Sequence, residues 1–363
     1  MENRNETKEK TYCVTGATGY IGSWLVKSLL QRGYRVHATL RNPEKGSHLF
    51  KFWQGRNRLS LFRADLQEDG SFDEAVRGCD GVFHVAASME FEVPAGQDIG
   101  NEIEKLMLIC LFPLQDRHVK TEVIDPAIRG TLNVLKACLK SNTARIVFTS
   151  SISTLTAKDS SGRWIPVVDE SCQTPVHQVL KTKASGWVYV LSKLLTEEAA
   201  FEFAAKNGID LISVITTTVG GPFLTPTVPA SVQVLLSPIT DDPKLLPILA
   251  SVNSRMGSIA LVHIEDICSA HIFLMEHANA EGRYICCTQS CLMSELFGLL
   301  RKEYPCSIAQ RIESMEQDSV PSTICSKKIR DMGFKFEYSI QEIIHQTVRA
   351  CVDCGFLPPT HKS

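Results

Sequence analysis

Three observations predict an α/β fold built on a doubly wound parallel sheet, followed by a smaller carboxyl-terminal substrate lobe. Short β-favouring runs alternate with helix-period stretches from residue 11 onward, the pattern of successive βαβ units. The first run ends in a glycine-rich turn that opens a helix. The fourth, residues 81–88 (G-V-F-H-V-A-A-S), is apolar enough to be covered on both faces, as a parallel strand is.

Bulk properties narrow the partners. The chain has 363 residues, 44 % hydrophobic and 21 % charged, which is enough for a large core. A formal net charge of -2 gives no electrostatic case for nucleic acid or an anionic membrane, so a small-molecule substrate is expected. Residues 1–10 are polar and read as a disordered lead-in without the apolar core of a secretory signal. The longest apolar run, 106–114, is too short to span a bilayer and contains Pro113. Thirteen cysteines without regular spacing read as reduced core thiols, among them Cys286 and Cys287, and imply a cytoplasmic location. Cys351 and Cys354 form a C-x-x-C with no second ligand pair, so structural thiols are expected and no metal. The pattern specifies no oligomeric state.

The elements follow in order. Residues 11–15 form a strand that ends at G-A-T-G-Y-I-G, residues 16–22, and a helix follows with Ile21, Leu25, Leu29 and Leu30 on its apolar face, stopped by Gly33. This is the strand–turn–helix context of a dinucleotide fingerprint, here spaced G-x-x-G-x-x-G. Gly16, Gly19 and Gly22 let the backbone approach a pyrophosphate. Thr18, Tyr20 and Ile21 complete the turn, whose N–H groups face the phosphates. The second strand, 35–40, is followed by Arg41, near where an NAD-preferring protein presents an acid to the ribose. A guanidinium there favours a 2′-phosphate, hence NADPH/NADP, with Lys45 as second contact and Glu44 as the competing acid.

The third strand, 59–66, closes on Asp65 and Leu66, from which a side chain reaches an adenine edge. At the end of the fourth, Val85 and the small Ala86 and Ala87 let a cofactor pass close, and Ser88 comes next. Residues 124–141 read as a helix with Ile128, Leu132, Leu135 and Leu139 on one face. A fifth strand, 145–149, ends in Ser150 and Ser151. A sixth, 210–218, contains Thr216 and ends at G-G-P-F, residues 220–223. Between them lies W-V-Y-V-L-S-K, residues 187–193. Its helical spacing stacks Tyr189 and Lys193 on one face. A phenol with an ordinary pKa of about 10 donates a proton poorly near neutrality unless a neighbouring cation stabilises its phenolate, and Lys193 is such a cation. An ordinary half-buried tyrosine has the same spacing. Strand ends bind ligands in this architecture, so Ser151, Tyr189 and Lys193 can meet beside the cofactor.

Beyond residue 223 prolines at 226, 229, 238, 243 and 247 make the pattern less regular. The Rossmann-type domain is expected over 11–222. Residues 223–363 supply mainly the substrate lobe, with 259–287 returning to the first domain and helices near 293–304 and 339–352. Val190, Val219, Phe223, Val228 and Leu235 are candidates to line an apolar substrate pocket, or plain core.

The chain resembles the extended short-chain dehydrogenase/reductases, and within them the dihydroflavonol reductase and anthocyanidin reductase group. The matching residues are G-A-T-G-Y-I-G-S-W-L-V at 16–26, V-F-H-V-A-A at 82–87, F-T-S-S at 148–151, Y-V-L-S-K at 189–193, G-P-F at 221–223, L-V-H-I-E-D-I at 261–267 and E-G-R-Y-I-C at 281–286. The resemblance implies a Ser151-Tyr189-Lys193 catalytic set. Tyr189 would protonate a carbonyl oxygen, Ser151 would hydrogen-bond it, and Lys193 would hold the nicotinamide ribose and lower the tyrosine pKa. It implies fold-stabilising roles for His263 and Asp266.

Several residues depart from the pattern. Thr156 stands where dihydroflavonol reductases usually carry an asparagine that hooks the flavonoid, Ala260 where a glutamine is expected, and Thr216 where a proline is common. The N-W-Y-C-Y of cinnamoyl-CoA reductases is replaced by G-W-V-Y-V, which disfavours a CoA thioester. Residues 104–121 exceed the family's shorter connection. They read as a pocket lip, a dimerisation patch, or an insert or retained intron without catalytic role. The expected function is NADPH-dependent reduction of a carbonyl in a flavonoid-type plant phenolic. The alternatives are a terpenoid or steroid-like alcohol or ketone, or a non-catalytic dinucleotide-binding regulator.

Overall fold

The computed structural model describes residues 9–53, 56–87, 117–304 and 322–359. A seven-stranded sheet organises it, with β1 Thr11–Thr15, β2 Arg35–Leu40, β3 Leu59–Arg63, β4 Gly81–His84, β5 Ile146–Ser151, β6 Leu211–Thr216 and β7 Gly282–Cys286. Their order across the sheet is β7-β6-β5-β4-β1-β2-β3, and every pairing is parallel. The central strands β4, β5 and β6 are buried along their whole length, as their apolar runs require of strands covered on both faces. The chain order reverses between β1 and β4, and ligands of open α/β sheets bind at such a switch point, outside the carboxyl ends of the strands.

The helices used below are α1 Tyr20–Gln31, α2 Asp125–Lys140, α3 Trp187–Asn207, α4 Leu246–Met256, α5 Ile264–Glu276 and α6 Ile340–Asp353. Strand ends differ from the sequence reading because side chains at the sheet edge take over hydrogen bonds. β3 stops at Arg63, and the Asp65 carboxylate accepts from Gln67 N–H at 2.9 Å in the following turn. β4 stops at His84 because Val85 and Ala86 donate their N–H groups to Thr15 Oγ1 rather than to a strand. β5 runs on to Ser151, which pairs with Thr216 of β6. The sixth run breaks at Thr217, whose hydroxyl donates to Cys286 O at 3.1 Å. Residues Thr218–Gly220 then join Ile259–His263 and Gln289–Cys291 in a separate three-stranded sheet.

The helix expected at 124–141 buries a different face. Val134, Leu135, Ala137 and Cys138 are buried, whereas Leu139 is 39 % exposed. The helix packs against both the central strand β4 and α3, so its small residues Ala127, Gly130 and Thr131 are buried too, and a single apolar stripe does not describe it. A Cβ on Gly130 would lie 2.7 Å from Leu66 Cβ. Upstream, a helical turn Arg117–Val119 and a π-helical turn Lys120–Ile124 lead into it. Lys120 is buried there and donates to both oxygens of Asp125 at 2.7 Å. Residues 104–116 of the long connection, including the apolar run 106–114, lie outside the described residues.

The carboxyl-terminal half builds a second core from Leu235, Leu249, Leu296, Leu300, Ile343 and Ile344. Within 259–287, β7 completes the main sheet and α5 packs on α1. Asp266 accepts from the N–H groups of Glu337 (2.9 Å) and Tyr338 (3.3 Å), and the His263 ring stacks on Tyr338 at 3.6 Å, so both residues pin the chain entering α6. Cys286 and Cys287 are core residues. Cys351 is buried and Cys354 exposed, both as free thiols. Among the described residues no helix is long and apolar enough to cross a membrane.

Candidate active site

The three glycines of the first turn differ in what the fold asks of them. Gly16 has φ +69°, and a Cβ there would sit 2.8 Å from Ala86 Cα; on Gly22 it would sit 2.2 Å from Gly16 O. Both must be glycine for the turn to close on α1. Gly19 is exposed, with φ -77°, and its nearest Cβ neighbour would be Gly16 O at 3.3 Å. That contact is tight, so a side chain there would require Gly16 to shift slightly, while the exposed face of Gly19 is open to a ligand. Gly19 caps α1 without a side-chain hydrogen bond, and the first turn carries no acidic residue. An uncapped, acid-free helix N-terminus of this kind fits the pyrophosphate of a dinucleotide. Tyr20 turns its hydroxyl inward to Gly221 O at 3.0 Å, and Ile21 O accepts from the Cys268 thiol, so these two anchor the turn.

A buried chain of polar groups fixes the neighbouring loop. Thr15 Oγ1 accepts from Val85 and Ala86 N–H, both at 3.1 Å, and therefore gives its own proton to His84 Nδ1 at 2.9 Å. That leaves the His84 proton on Nε2, which donates to Thr131 Oγ1 of α2 at 3.1 Å. Burial, with Lys193 nearby, pushes the His84 pKa down to about 3, so the ring is neutral. Ala86 and Ala87 are thereby held against the glycine turn, at the wall of a cleft.

Ser151, Tyr189 and Lys193 come together at the carboxyl end of β5. Ser151 caps the short 3₁₀ turn Ile152–Thr154, accepting from Ser153 N–H at 3.2 Å. Tyr189 and Lys193 lie one turn apart on α3. Burial raises the Tyr189 pKa, while a hydrogen bond from Ser151 and the positive charge of Arg255 pull it back. Lys193 donates to Thr149 O at 3.4 Å and stands 5.9 Å from the centre of the Phe148 ring. Burial pushes its pKa down to about 8, against the opposing pull of Glu197. A phenol, a hydroxyl and an ammonium converging on one point can protonate and stabilise a developing alkoxide.

An open cleft lies against this group, lined by Leu66, Ala86, Ala87, Phe148, Tyr189 and Lys193 together with Ala127, Thr131, Ser192 and Thr196. Thr216 is buried, and its hydroxyl donates to Ser150 O at 3.0 Å, bracing the end of β5. Arg41 is exposed at the end of β2, and Thr18 is half-buried. Lys45 falls in the turn Pro43–Lys51.

The substrate candidates are less convergent. Thr156 is buried and its hydroxyl accepts from Lys158 N–H at 3.2 Å. Val190 packs between helices with Val119, Ile124 and Leu195. Val219 is 4 % exposed in the main core, Ala260 is buried, and Leu235 is wholly buried, whereas Phe223 and Val228 are only partly buried beside the second core. Ser88 lies outside the described residues. Sequence reasoning missed Thr15, Thr131 and Arg255, and quoted His84 only as part of a motif. A histidine inside an apolar strand was the available signal for His84, and Arg255 left none.

The NAD(P)H-binding family profile matches residues 16–209. Over 355 residues the chain is 43 % identical to a putative anthocyanidin reductase of Ginkgo biloba, with 96 % of each chain covered. It is 39 % identical over 357 residues to a dihydroflavonol 4-reductase of Arabidopsis thaliana, covering 97 % of this chain and 85 % of that one. Among solved structures, vestitone reductase from alfalfa (Medicago sativa) superposes with a TM-score of 0.74 at 30 % identity, covering 96 % of this chain and 100 % of that one. Likeness of this extent, on a parallel sheet with a glycine-rich first turn, shows that the chain belongs to the anthocyanidin and dihydroflavonol reductase group of extended short-chain dehydrogenase/reductases and is an NADP-dependent oxidoreductase of C=O and CH–OH groups.

Proposed function

We propose that the protein reduces a ketone of a flavonoid-type phenolic, in the manner of anthocyanidin reductases, and that Ser151, Tyr189 and Lys193 carry the reaction. The observation that supports this most is the Ser151–Tyr189 hydrogen bond beside Lys193, at the wall of the cleft bounded by Ala86 and Ala87. NADPH, when bound, supplies the hydride that reaches the carbonyl carbon. Tyr189 Oη transfers its proton to the carbonyl oxygen, and Ser151 Oγ holds that oxygen in line. Lys193 binds the nicotinamide ribose hydroxyls, and its charge favours the tyrosinate left behind. Gly16, Thr18, Gly19, Tyr20, Ile21 and Gly22 hold the pyrophosphate, Arg41 and Lys45 the 2′-phosphate, Asp65 and Leu66 the adenine side.

One observation supports a terpenoid or steroid-like ketone as second reading. The Thr156 hydroxyl is engaged by its own loop and Ala260 is buried, so neither position offers a polar hook. Initial rates on a panel of flavonoid and steroid-like ketones with NADPH and NADH decide between them. Turnover of flavonoid ketones with NADPH supports the first reading, and turnover of steroid-like ketones alone replaces it. Buried free thiols support a reducing, cytoplasmic setting.

A further inference from the structure

Arg255, near the end of α4, brings a second cation to Tyr189 from the carboxyl-terminal half of the chain. Its backbone is fixed. Arg255 O accepts from Ala157 N–H at 3.4 Å, next Met256 is 1 % exposed, and Gly257 ends the helix with φ +70°. The side chain is therefore rooted against the loop that leaves Ser151. Its Nε is buried with no hydrogen-bond partner.

Three other sequestered cations are ion-paired, Lys120 with Asp125, Arg145 with Asp210 and Arg283 with Glu197, and Lys193 donates to Thr149 O. Among the described residues no carboxylate forms an ion pair with Arg255, and the one charge partner acting on it is the Tyr189 phenol. A partly buried guanidinium whose Nε has neither hydrogen-bond partner nor anion is unfavourable, and it is relieved when a ligand brings one, because its planar fork matches paired oxygens.

We propose that Arg255 is a specificity-determining residue whose guanidinium binds an anionic oxygen of the substrate, carboxylate or ionised phenol, close to the carbonyl that Tyr189 protonates. This rests on the reading of Tyr189 as proton donor. It also gives the pocket a polar anchor of its own in place of those missing at Thr156 and Ala260.

The test uses the full chain with saturating NADPH and three aromatic ketones of one skeleton, bearing a carboxylate, an acidic phenol ionised at assay pH, or a neutral methyl ester. Arg255→Met should lower kcat/KM for an anionic ketone at least tenfold more than for the ester, mostly through KM, and Arg255→Lys should restore part of that preference. Loss on the carboxylate alone or the phenolate alone identifies the source of the anion. Equal losses on all three ketones, or a wild type without preference for either anion, overturn the proposal. Thermal melting of the variants guards against misfolding. Equilibrium binding of the carboxylate ketone to NADP-loaded wild type and Arg255→Met runs alongside. A wild type that reduces none of the three contradicts the reductase reading alone, and the binding comparison then still decides: weaker binding by the variant supports the role of Arg255, and equal binding removes it.

Discussion

Arg283 Nη2 donates to Glu197 Oε2 across 2.9 Å, and Glu197 lies one helical turn beyond Lys193 on α3. The same guanidinium donates to Thr154 Oγ1 at 2.8 Å and, through Nη1, to Glu170 O at 2.8 Å. Thr154 Oγ1 in turn donates to Ser151 O at 3.0 Å. One residue of the edge strand β7 thus ties the helix of Tyr189 and Lys193 to the loop of Ser151. Glu197 is also hydrogen-bonded by Ser213 Oγ from β6.

Glu197→Ala leaves the Arg283 charge buried and unpaired. It should destabilise the protein by about 3–5 kcal/mol, the usual effect of removing one partner from a buried pair. The remaining folded enzyme should show a lower kcat, because α3 and the Ser151 loop lose their common anchor. Denaturant titration and steady-state rates check the two effects separately.

His84, His263 and His271 are held neutral by burial, with pKa values pushed down to about 3, 4 and 4. The unfolded chain takes up protons near pH 6.5 where the folded one does not, so stability present at neutral pH is lost as pH falls from about 6.5 toward 4. At pH 5 each ring should account for about 2 kcal/mol. His271→Gln, at a site where Thr149 Oγ1 donates to Nε2 at 2.8 Å, should flatten this slope by one histidine's share. Denaturation at pH 7 and pH 5 reads it.

Lys193 is shifted the same way, but its window is alkaline. Its folded pKa of about 8 is below the ordinary 10.5, so between those values the unfolded chain binds more protons and the cofactor-free protein gains stability as pH rises. With Lys193 proposed as the cation that binds the nicotinamide ribose, the Kd for NADPH should increase above pH 8, by up to about tenfold per pH unit. Lys193→Met should bind weakly at every pH. Fluorescence titration of NADPH between pH 6 and 10 measures this.

Arg41→Gln removes a charge-assisted contact worth about 1.5–3 kcal/mol, so KM for NADPH should increase about 10- to 100-fold while KM for NADH changes little. Parallel kinetics with both cofactors test the assignment.

Much of this was legible in the sequence, and the exceptions have physical causes. The glycine turn, the parallel strands and the Tyr189–Lys193 pair rest on local spacing, which the backbone converts directly into geometry. The ends of β3 and β4 did not, because Asp65 and Thr15 redirect hydrogen bonds through side-chain contacts that no periodicity records. The buried face of α2 was misread because the helix is covered on two sides, leaving Leu139 outside. Arg283–Glu197 and Arg255–Tyr189 join residues 86 and 66 positions apart, and such pairs become visible only when the sheet brings them together.

The central claim is that Tyr189 supplies the proton, and Tyr189→Phe tests it most directly because it deletes one oxygen from a half-buried ring. Turnover of the best ketone should fall by a factor of about 10² to 10⁴ while the Kd for NADPH stays within about twofold of wild type. Wild-type turnover by Tyr189→Phe would contradict it.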